Sequence, residues 1–507
     1  MTQYLIAHDL GTSGNKASLF TTDGKLVKSY TAGYDVHFFH GNYAEQNPTD
    51  WLEAVYESTA KITEGIDPTA ILAMSFSAQM QCCLIVDENG QALRPAIIWA
   101  DQRAIKEQKL LEEKIGFDRM YDITGHRVSA SYSIEKLMWI KENEPELYAK
   151  TKYMLQAKDY VIYHLTGTFA TDFSDGSGTN AMDLKGLCWN DEIITAAGID
   201  KEKLPPLHPS TYVAGNLTEE AASKLGLTTA TKVVLGGGDG PCSAVGAGCI
   251  HNDELFLTFG TSSWIGGTTE EVFTDSDKVL FCFAHVIPGK YMPCGTMQAA
   301  GSSYSYIKNA LCKEETEDAK ASGQDPYSIM NRYVESSPAG AKNLIFLPYL
   351  LGERSPRWNP NTSGSFFNIK PCHEKGDYVR AVVEGIAMNL ELILKAYRKQ
   401  LSIFDLIFTG GGAKGNVVAQ ILANVLNCKL TRPDHVEEAT SIAAAVIAGV
   451  GIGIYEDFQA VDQFLTVQDQ LQPEADKIAV YEPLKQVFDK AYSSLVDLYE
   501  DFAALQE

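Results

Sequence analysis

Two segments of this chain, about 250 residues apart, repeat one pattern in which an apolar strand runs directly into Gly-Thr-Ser. The first is Tyr-Leu-Ile-Ala-His-Asp-Leu-Gly-Thr-Ser-Gly at residues 4–14, and the second is Glu-Leu-Phe-Leu-Thr-Phe-Gly-Thr-Ser-Ser-Trp at residues 254–264. Glycine lets the backbone approach a ligand closely, and the hydroxyl and N–H groups of such a turn can hold an anion. Two such turns predict a duplicated fold that binds phosphate from two sides, with a nucleotide in the cleft between related domains.

The length of the chain agrees with this prediction, because 507 residues exceed one hydrophobic core and indicate about two to four domains. Predicted strands alternate with predicted helices, which indicates an α/β fold. We place the main boundary near residues 245–253, which divides the chain into residues 1–248 and 249–507. A second α/β unit is predicted to begin near residues 232–235. Residues 313–326 are predicted to form an exposed loop or helix end, and residues 481–502 one long helix.

The charge and composition exclude several classes of partner. Lys and Arg number 42 against 65 Asp and Glu, and the net charge of −23 argues against nucleic acid or an anionic membrane as a partner. Neither a signal peptide nor an apolar run of about 18 residues is present, so no membrane span is predicted. The ten cysteines lack Cys-x-x-Cys spacing, which favours reduced thiols in a cytoplasmic protein.

Two acidic residues stand at glycine-rich strand ends. Asp9 precedes the first Gly-Thr-Ser turn, where a carboxylate is suited to Mg²⁺, while Thr12 and Ser13 can surround phosphates and Lys16 adds a positive charge. The alternative is a simple hairpin turn capped by Asp. Asp239 follows the strand end Leu-Gly-Gly-Gly and precedes a helix of small residues, a position suited to a base that activates a hydroxyl nucleophile for phosphoryl transfer. The alternative is a glycine turn with Asp as helix cap.

Two further segments are candidate binding elements. Residues 409–416, Thr-Gly-Gly-Gly-Ala-Lys-Gly-Asn, link a strand to a helix and can present backbone to a base, a ribose or a phosphate, although a tight βα loop explains them equally. The second segment is a set of polar and apolar side chains at strand ends, typical of sites that recognise sugar hydroxyls. Its members are Gln79, Met80, Gln81, Trp99, Asp101 and Arg103. Asp101 and Arg103 can instead form a helix-start cap and its ion pair.

The motifs and their order resemble those of the FGGY carbohydrate kinases, which share an actin-like, ribonuclease-H-like duplicated fold with ATP bound between two related domains. The resemblance covers nearly the whole chain. It rests on residues 9–14, 79–81, 99–103, 131–143, 236–240, 260–262, 348–356, 364–369, 377–385 and 410–416.

The resemblance implies a role for each matching position. Asp239 is similar to the catalytic base of the family, and Asp9 is similar to its Mg²⁺-linked acid. Residues 1–248 are implied to bind the sugar and residues 249–507 the adenosine. The implied ATP-binding residues are Thr12, Ser13 and Lys16 on one side, Gly260, Thr261 and Ser262 on the other, and Gly411, Gly412, Ala413 and Asn416 at the adenosine.

The substrate implied by the resemblance is a ketopentose phosphorylated by ATP at a terminal hydroxyl, with D-xylulose first, because the pattern is most similar to xylulose kinases. Those enzymes usually have Gly-Gln-Met-His where this chain has Ala78-Gln79-Met80-Gln81, and glutamine cannot become cationic. Ribulose, gluconate or a polyol are the alternatives. An actin-like ATPase and a non-catalytic sugar sensor are two further ones, but the presence of Asp9 and Asp239 argues against the sensor. A homodimer is a family expectation.

Overall fold

The structure is a computed structural model that describes residues 2–434 and 437–505. Its first sheet has the strand order β5-β6-β4-β1-β2-β3. The strands β1 to β3 form an antiparallel meander, β4 is parallel to β1 and to β6, and β5 is antiparallel to β6. The bounds are β1 (Tyr4–Leu10), β2 (Gly14–Thr21), β3 (Leu26–Gly33), β4 (Ile71–Ala78), β5 (Val213–Asn216) and β6 (Lys232–Val234).

The second sheet has the order β9-β10-β8-β7-β11-β12-β13. Here β7, β8 and β10 form the antiparallel meander, β11 is parallel to β7 and to β12, and β13 is antiparallel to β12. The bounds are β7 (Glu254–Phe259), β8 (Ser263–Thr268), β9 (Phe281–Ala284), β10 (Tyr291–Met297), β11 (Asp405–Thr409), β12 (Lys429–Pro433) and β13 (Val467–Leu471).

The two sheets therefore repeat one topology; the first has the short strand Gly237–Gly238 in addition, which pairs with β4, and the second has β9. In each sheet a Gly-Thr-Ser turn joins the first two strands of the meander, and the strand before that turn also pairs in parallel with its other neighbour. The predicted duplicated α/β fold is confirmed. Because the carboxyl ends of parallel strands lie at one edge of a sheet, each turn lies beside the loop that follows its parallel neighbour.

Helices cover both sheets. The helix α1 begins at Pro48, where the Asn47 side chain accepts the Thr49 N–H, and it packs Trp51 and Val55 against the first sheet. The helices used below are α1 (Pro48–Thr63), α2 (Asp239–Gly246), α3 (Gly301–Leu311), α4 (Lys375–Arg398), α5 (Asn416–Leu426) and α6 (Ala439–Gly451). Others are Ile105–Ile115, Phe117–Thr124, Ser133–Asn143, Pro145–Lys150, Ala157–Thr166, Phe173–Ser177, Asp191–Ala197, Glu219–Leu225, Lys313–Ala321, Pro326–Ser336, Ala475–Ser493 and Val496–Ala504.

Helix α6 lies late in the chain but packs against the first sheet. Its Ile442 and Val446 share a core with Leu5 of β1 and Val234 of β6. It also crosses α2 closely, because a Cβ at Gly246 would lie 1.7 Å from the Ala439 carbonyl oxygen. The division into residues 1–248 and 249–507 stays a prediction, and α6 brings residues of the second half to the first sheet.

Three expectations about secondary structure need correction. Strand β6 pairs with β4 in the first sheet, so it closes that unit rather than opening the second. Residues 481–502 span two helices, Ala475–Ser493 and Val496–Ala504. Residues 313–326 include the helix Lys313–Ala321, whose charged surface is solvated while Thr316 and Ala319 are buried. Among residues 2–434 and 437–505, no helix combines the length and the apolar character needed to cross a membrane.

Candidate active site

Asp9 and Asp239 bring two carboxylates to the end of the first sheet. Asp9 lies near the end of β1, opposite Lys16 on β2, and Asp239 is the first residue of α2. Burial first, and then the nearby Asp9 carboxylate, raise the pKa of Asp239 to about 7 against a 2.8 Å hydrogen bond from the Gly240 N–H, which lowers it. Burial also raises the pKa of Asp9, although a Thr440 hydrogen bond and Lys16 oppose it. A carboxyl that titrates near neutrality is suited to general-base work.

The glycines before Asp239 allow its backbone to lie unusually close to its neighbours. Gly236 has a φ of +72°, and a Cβ there would lie 1.8 Å from the Phe76 carbonyl oxygen. A Cβ at Gly238 would lie 2.5 Å from the Met80 sulfur. The structure therefore places Gly238, the residue before the predicted base, directly against Met80, one of the predicted sugar-binding residues.

The first Gly-Thr-Ser turn contacts two of the predicted binding segments. The Trp99 indole N–H donates to the Thr12 hydroxyl at 2.9 Å, and the Gln46 amide donates to the Thr12 carbonyl at 2.7 Å. The buried Gln79 amide donates in turn to the Gln46 side-chain oxygen at 2.8 Å. Gln79 is thus connected to the turn through Gln46, while Ser13 of the turn is exposed to solvent.

Two lysines near the Gly-Thr-Ser turns, one predicted to bind phosphate and one not, form ion pairs with neighbouring glutamates. Lys16 forms an ion pair with Glu438 and donates to the Glu437 carbonyl oxygen at 3.1 Å. Lys414, on the glycine-rich loop after β11, pairs with the Glu437 carboxylate at 2.6 Å. Both lysines therefore converge on the segment that leads into α6.

A cavity of about 520 Å³ lies in the second half of the chain. It brings together Gly260 and Thr261 of the second turn with Gly411 and Gly412 of the loop after β11. A 2.8 Å hydrogen bond between the Thr258 and Thr409 hydroxyls holds the two strand ends together. Three predicted residues do not line this cavity, and they are Ser262, Ala413 and Asn416.

The walls of this cavity include residues that the motifs did not indicate. The Tyr304 and Tyr327 rings lie 5.7 Å apart and nearly parallel, and Tyr304 donates to the Asn331 amide oxygen at 3.1 Å. The Tyr327 hydroxyl is 2.8 Å from the Ser305 hydroxyl. Flat aromatic faces with a few polar groups are suited to a nucleobase. No motif in the sequence marks these tyrosines, because aromatic side chains on helices are explained as well by core packing.

A second cavity, of about 620 Å³, lies between the two halves. Gln81 and Trp99 line it from the first half, and Gln298, Arg354 and Trp358 line it from the second. Residues 348–356 carried the resemblance but had no assigned role, so the contribution of the second half was missed. Met80 does not line this cavity; it belongs to a buried apolar cluster against which Trp264 and Trp358 pack.

Asp101 and Arg103, also predicted to bind sugar, do not line this cavity. The Arg103 guanidinium donates to both Asp101 carboxylate oxygens at 2.7–3.0 Å and pairs with Glu45 at 2.7 Å. The Asp101 carboxylate also accepts the Ala44 N–H at 2.6 Å, and Arg103 lies 3.9 Å from the Tyr43 ring centre. These contacts agree with the alternative of a turn cap and ion pair, whereas a role of Asp101 and Arg103 in sugar binding stays a prediction.

The duplicated sheet and the matching glycine turns fit the class of proteins that bind ATP between two related units, and the raised pKa of Asp239 suits that carboxyl to a general base. Two family models match the chain: the N-terminal domain of the FGGY family of carbohydrate kinases over residues 4–246, and its C-terminal domain over residues 255–452. The chain belongs to this family, whose members use ATP as phosphate donor.

Named relatives differ in their substrates. A xylulose kinase of Bacillus subtilis is 31% identical over 98% of this chain and 98% of its own length. A gluconokinase of the same organism is 30% identical over 100% of this chain and 99% of its own. The structure of a ligand-bound xylulose kinase from Lactobacillus acidophilus is 29% identical and superimposes with a TM-score of 0.92 over 99% of this chain and 100% of that chain. The protein is therefore a sugar kinase, and the relatives do not select its sugar.

Proposed function

We propose that the protein transfers the γ-phosphoryl group of ATP to a terminal hydroxyl of a ketopentose, with D-xylulose as the first candidate. The observation that supports this most is Asp239, a carboxyl with a pKa raised to about 7 that directly follows Gly238, the residue packed against Met80. The interdomain cavity that starts at Gln81 and Trp99 has room for an open-chain pentose.

In the proposed reaction, the sugar occupies the interdomain cavity and the adenosine occupies the cavity between Tyr304 and Gly412. Asp239 accepts the proton of the attacking hydroxyl, since its pKa of about 7 suits proton transfer at neutral pH. The backbone N–H groups of the two Gly-Thr-Ser turns stabilise charge on the transferred group. Closure of the cleft excludes water, so the sugar hydroxyl is the acceptor.

Mg²⁺ fits the donor set at Asp9. Its carboxylate is a hard oxygen ligand, and the described residues contain no cluster of three or more metal-ligating side chains. A Mg²⁺ bound through one or two carboxylates and the phosphates of ATP needs no such cluster. When bound, the cation would offset phosphate charge, and Asp9 would hold it.

A second candidate substrate is an aldonate such as gluconate, which two arginines of the interdomain cavity favour. Among the described residues, neither Arg127 nor Arg354 forms an ion pair with a carboxylate. Of the carboxyl groups that line this cavity, Glu353 has its pKa raised to about 8 by burial, and Glu112 is the other. The Arg127 guanidinium already donates to the Lys278 carbonyl oxygen at 3.0 and 3.2 Å, so Arg354 is the better placed of the two to bind a substrate carboxylate.

The test is a coupled ADP-release assay with D-xylulose, D-ribulose, gluconate and a pentitol. A reaction with ATP but no added substrate measures plain ATP hydrolysis. The proposal expects D-xylulose to give the highest kcat/KM, and Arg354→Met to change it little. A preference for gluconate that Arg354→Met reduces by about 10-fold or more supports the second candidate. An ADP-release rate that is the same with and without any of these substrates would contradict both candidate functions.

A further inference from the structure

A buried segment that no motif indicated contacts the predicted catalytic turn, which is the glycine-rich segment of residues 236–240. It consists of the strand Thr171–Asp172 and the helix Phe173–Ser177. Asp172 and Ser174 within it are fully buried. Buried polar side chains are retained where they are hydrogen-bonded, so the partners of these two indicate what the segment holds.

The Ser174 hydroxyl connects Asp172 to the backbone of the turn. It donates to the Asp172 Oδ2 atom at 2.5 Å and accepts the Gly238 N–H at 2.9 Å. Gly238 is the residue immediately before Asp239, and it is the N-cap of α2. Because the hydroxyl proton is directed to the carboxylate, an oxygen lone pair stays available for the Gly238 N–H.

The carboxylate that orients this hydroxyl is itself fixed. The Asp172 Oδ1 atom lies 2.9 Å from the buried Lys158 ammonium, and Oδ2 also accepts the Ser174 N–H at 2.9 Å. Gly237 packs directly on the assembly, since a Cβ there would lie 2.8 Å from the Ser174 hydroxyl. The turn therefore has a charged, hydrogen-bonded support in addition to its contact with Val286 and its pairing with the end of β4.

The same short helix also contacts the second sheet. One turn after Ser174, the Ser177 hydroxyl accepts the Ala284 N–H at 3.1 Å, and Ala284 ends β9. One rigid element thus touches both the backbone before Asp239 and the edge of the other sheet. The backbone that carries the predicted base is therefore connected through this helix to both halves of the molecule.

We propose that Asp172 and Ser174 are positioning residues that fix Asp239 for proton transfer by holding the Gly238 N–H, a role that rests on the proposed kinase function. Neither residue contacts substrate in this scheme. They act on the chemical step through the backbone of the catalytic turn, where a displacement near 1 Å can cost about 10²-fold in rate.

The experiment compares Ser174→Ala with Ser210→Ala in the full-length protein. Ser210 is a matched control, because its hydroxyl donates to the same Asp172 Oδ2 atom at 2.7 Å and is equally buried, but it does not contact Gly238. Steady-state kinetics and hydrogen–deuterium exchange by mass spectrometry are measured on both variants. Ser174→Ala is expected to lower kcat by roughly 10- to 100-fold with both KM values within about threefold, and to speed exchange in peptides covering residues 236–240. Ser210→Ala is expected to leave kcat within about threefold.

Two results would overturn the proposal. One is a wild-type kcat in Ser174→Ala despite faster exchange at the turn, which would show that the turn is held but the base is not positioned by it. The other is an equal loss in both serine variants, which would assign the effect to the core as a whole. Exchange needs no substrate, so a wild-type protein without sugar kinase activity but with the predicted exchange contrast would instead refute the proposed function.

Discussion

Replacing Asp239 by Asn should make the protein more stable at neutral pH while nearly abolishing its activity. The folded state raises the pKa of this carboxyl from its ordinary value of 3.8 to about 7. At about 1.4 kcal/mol per pKa unit, holding the ionised form in place costs up to about 4 kcal/mol. Asp239 is partly exposed at the cleft, so screening by water reduces our expectation to about 2 kcal/mol.

The pH dependence of this gain has a defined sign. Between pH 3.8 and about 7 the folded chain keeps the Asp239 proton while the unfolded chain has lost it, so the free energy of unfolding of the wild type falls as the pH rises through that window. Asparagine cannot ionise and keeps an oxygen for the Gly240 N–H. The variant should therefore gain nothing near pH 4 and about 2 kcal/mol at pH 8.

Urea unfolding at pH 5, 6, 7 and 8, together with the ADP-release assay, measures both effects. We expect kcat to fall by roughly 10²-fold or more with sugar affinity nearly intact, because the hydroxyl loses its proton acceptor. Asp377→Asn is a control of opposite sign, since the Lys342 and Ser337 side chains lower the pKa of Asp377 and its replacement should destabilise at every pH tested. Wild-type turnover in Asp239→Asn would refute the base assignment. A stability change without pH dependence would refute the electrostatic reasoning.

Three further changes test the sites around this residue. Gly412→Ala should raise the KM for ATP by about 10-fold, because a Cβ at residue 412 would lie 2.4 Å from the Phe259 ring. Gly411→Ala should raise it less, because a Cβ at residue 411 would enter open space. Trp99→Phe should lower kcat/KM by roughly 2- to 12-fold, the equivalent of one lost hydrogen bond to Thr12, and unchanged kinetics would argue against that contact. Gly236→Ala should prevent folding, seen as insoluble expression, since its Cβ would overlap a backbone carbonyl.

The duplicated fold could be predicted from the sequence, and Asp239 could be proposed as the base, because the signals for both are local. A hairpin with a Gly-Thr-Ser turn is specified by adjacent residues, and each copy pairs in register as Leu10 with Asn15 and Phe259 with Ser263. The long-range pairing of β1 with β4 follows from the α/β alternation. Asp239 could be identified because strand, glycines and helix start are contiguous in the chain.

The lining of the two cavities could not be predicted, because distant segments form it. Arg354 and Trp358 reach the interdomain cavity from a loop that has no helical or strand periodicity. Asp101 and Arg103 show the opposite case, in which a polar pair two residues apart looked like a sugar site. Glu45 lies more than 50 residues away in sequence, so only the fold reveals that it completes a buried ion-pair network. Both side chains form their ion pairs within this network.

The two Gly-Thr-Ser turns do not belong to two independent halves, and α6 is the reason. Thr440 on this helix hydrogen-bonds Asp9 of the first half, and Glu438 just before it pairs with Lys16. The neighbouring Glu437 carboxylate holds Lys414 beside the second turn. We therefore expect phosphate that binds either lysine to compete with this short acidic segment, and we expect the first turn, the second turn and the start of α6 to respond to a nucleotide together.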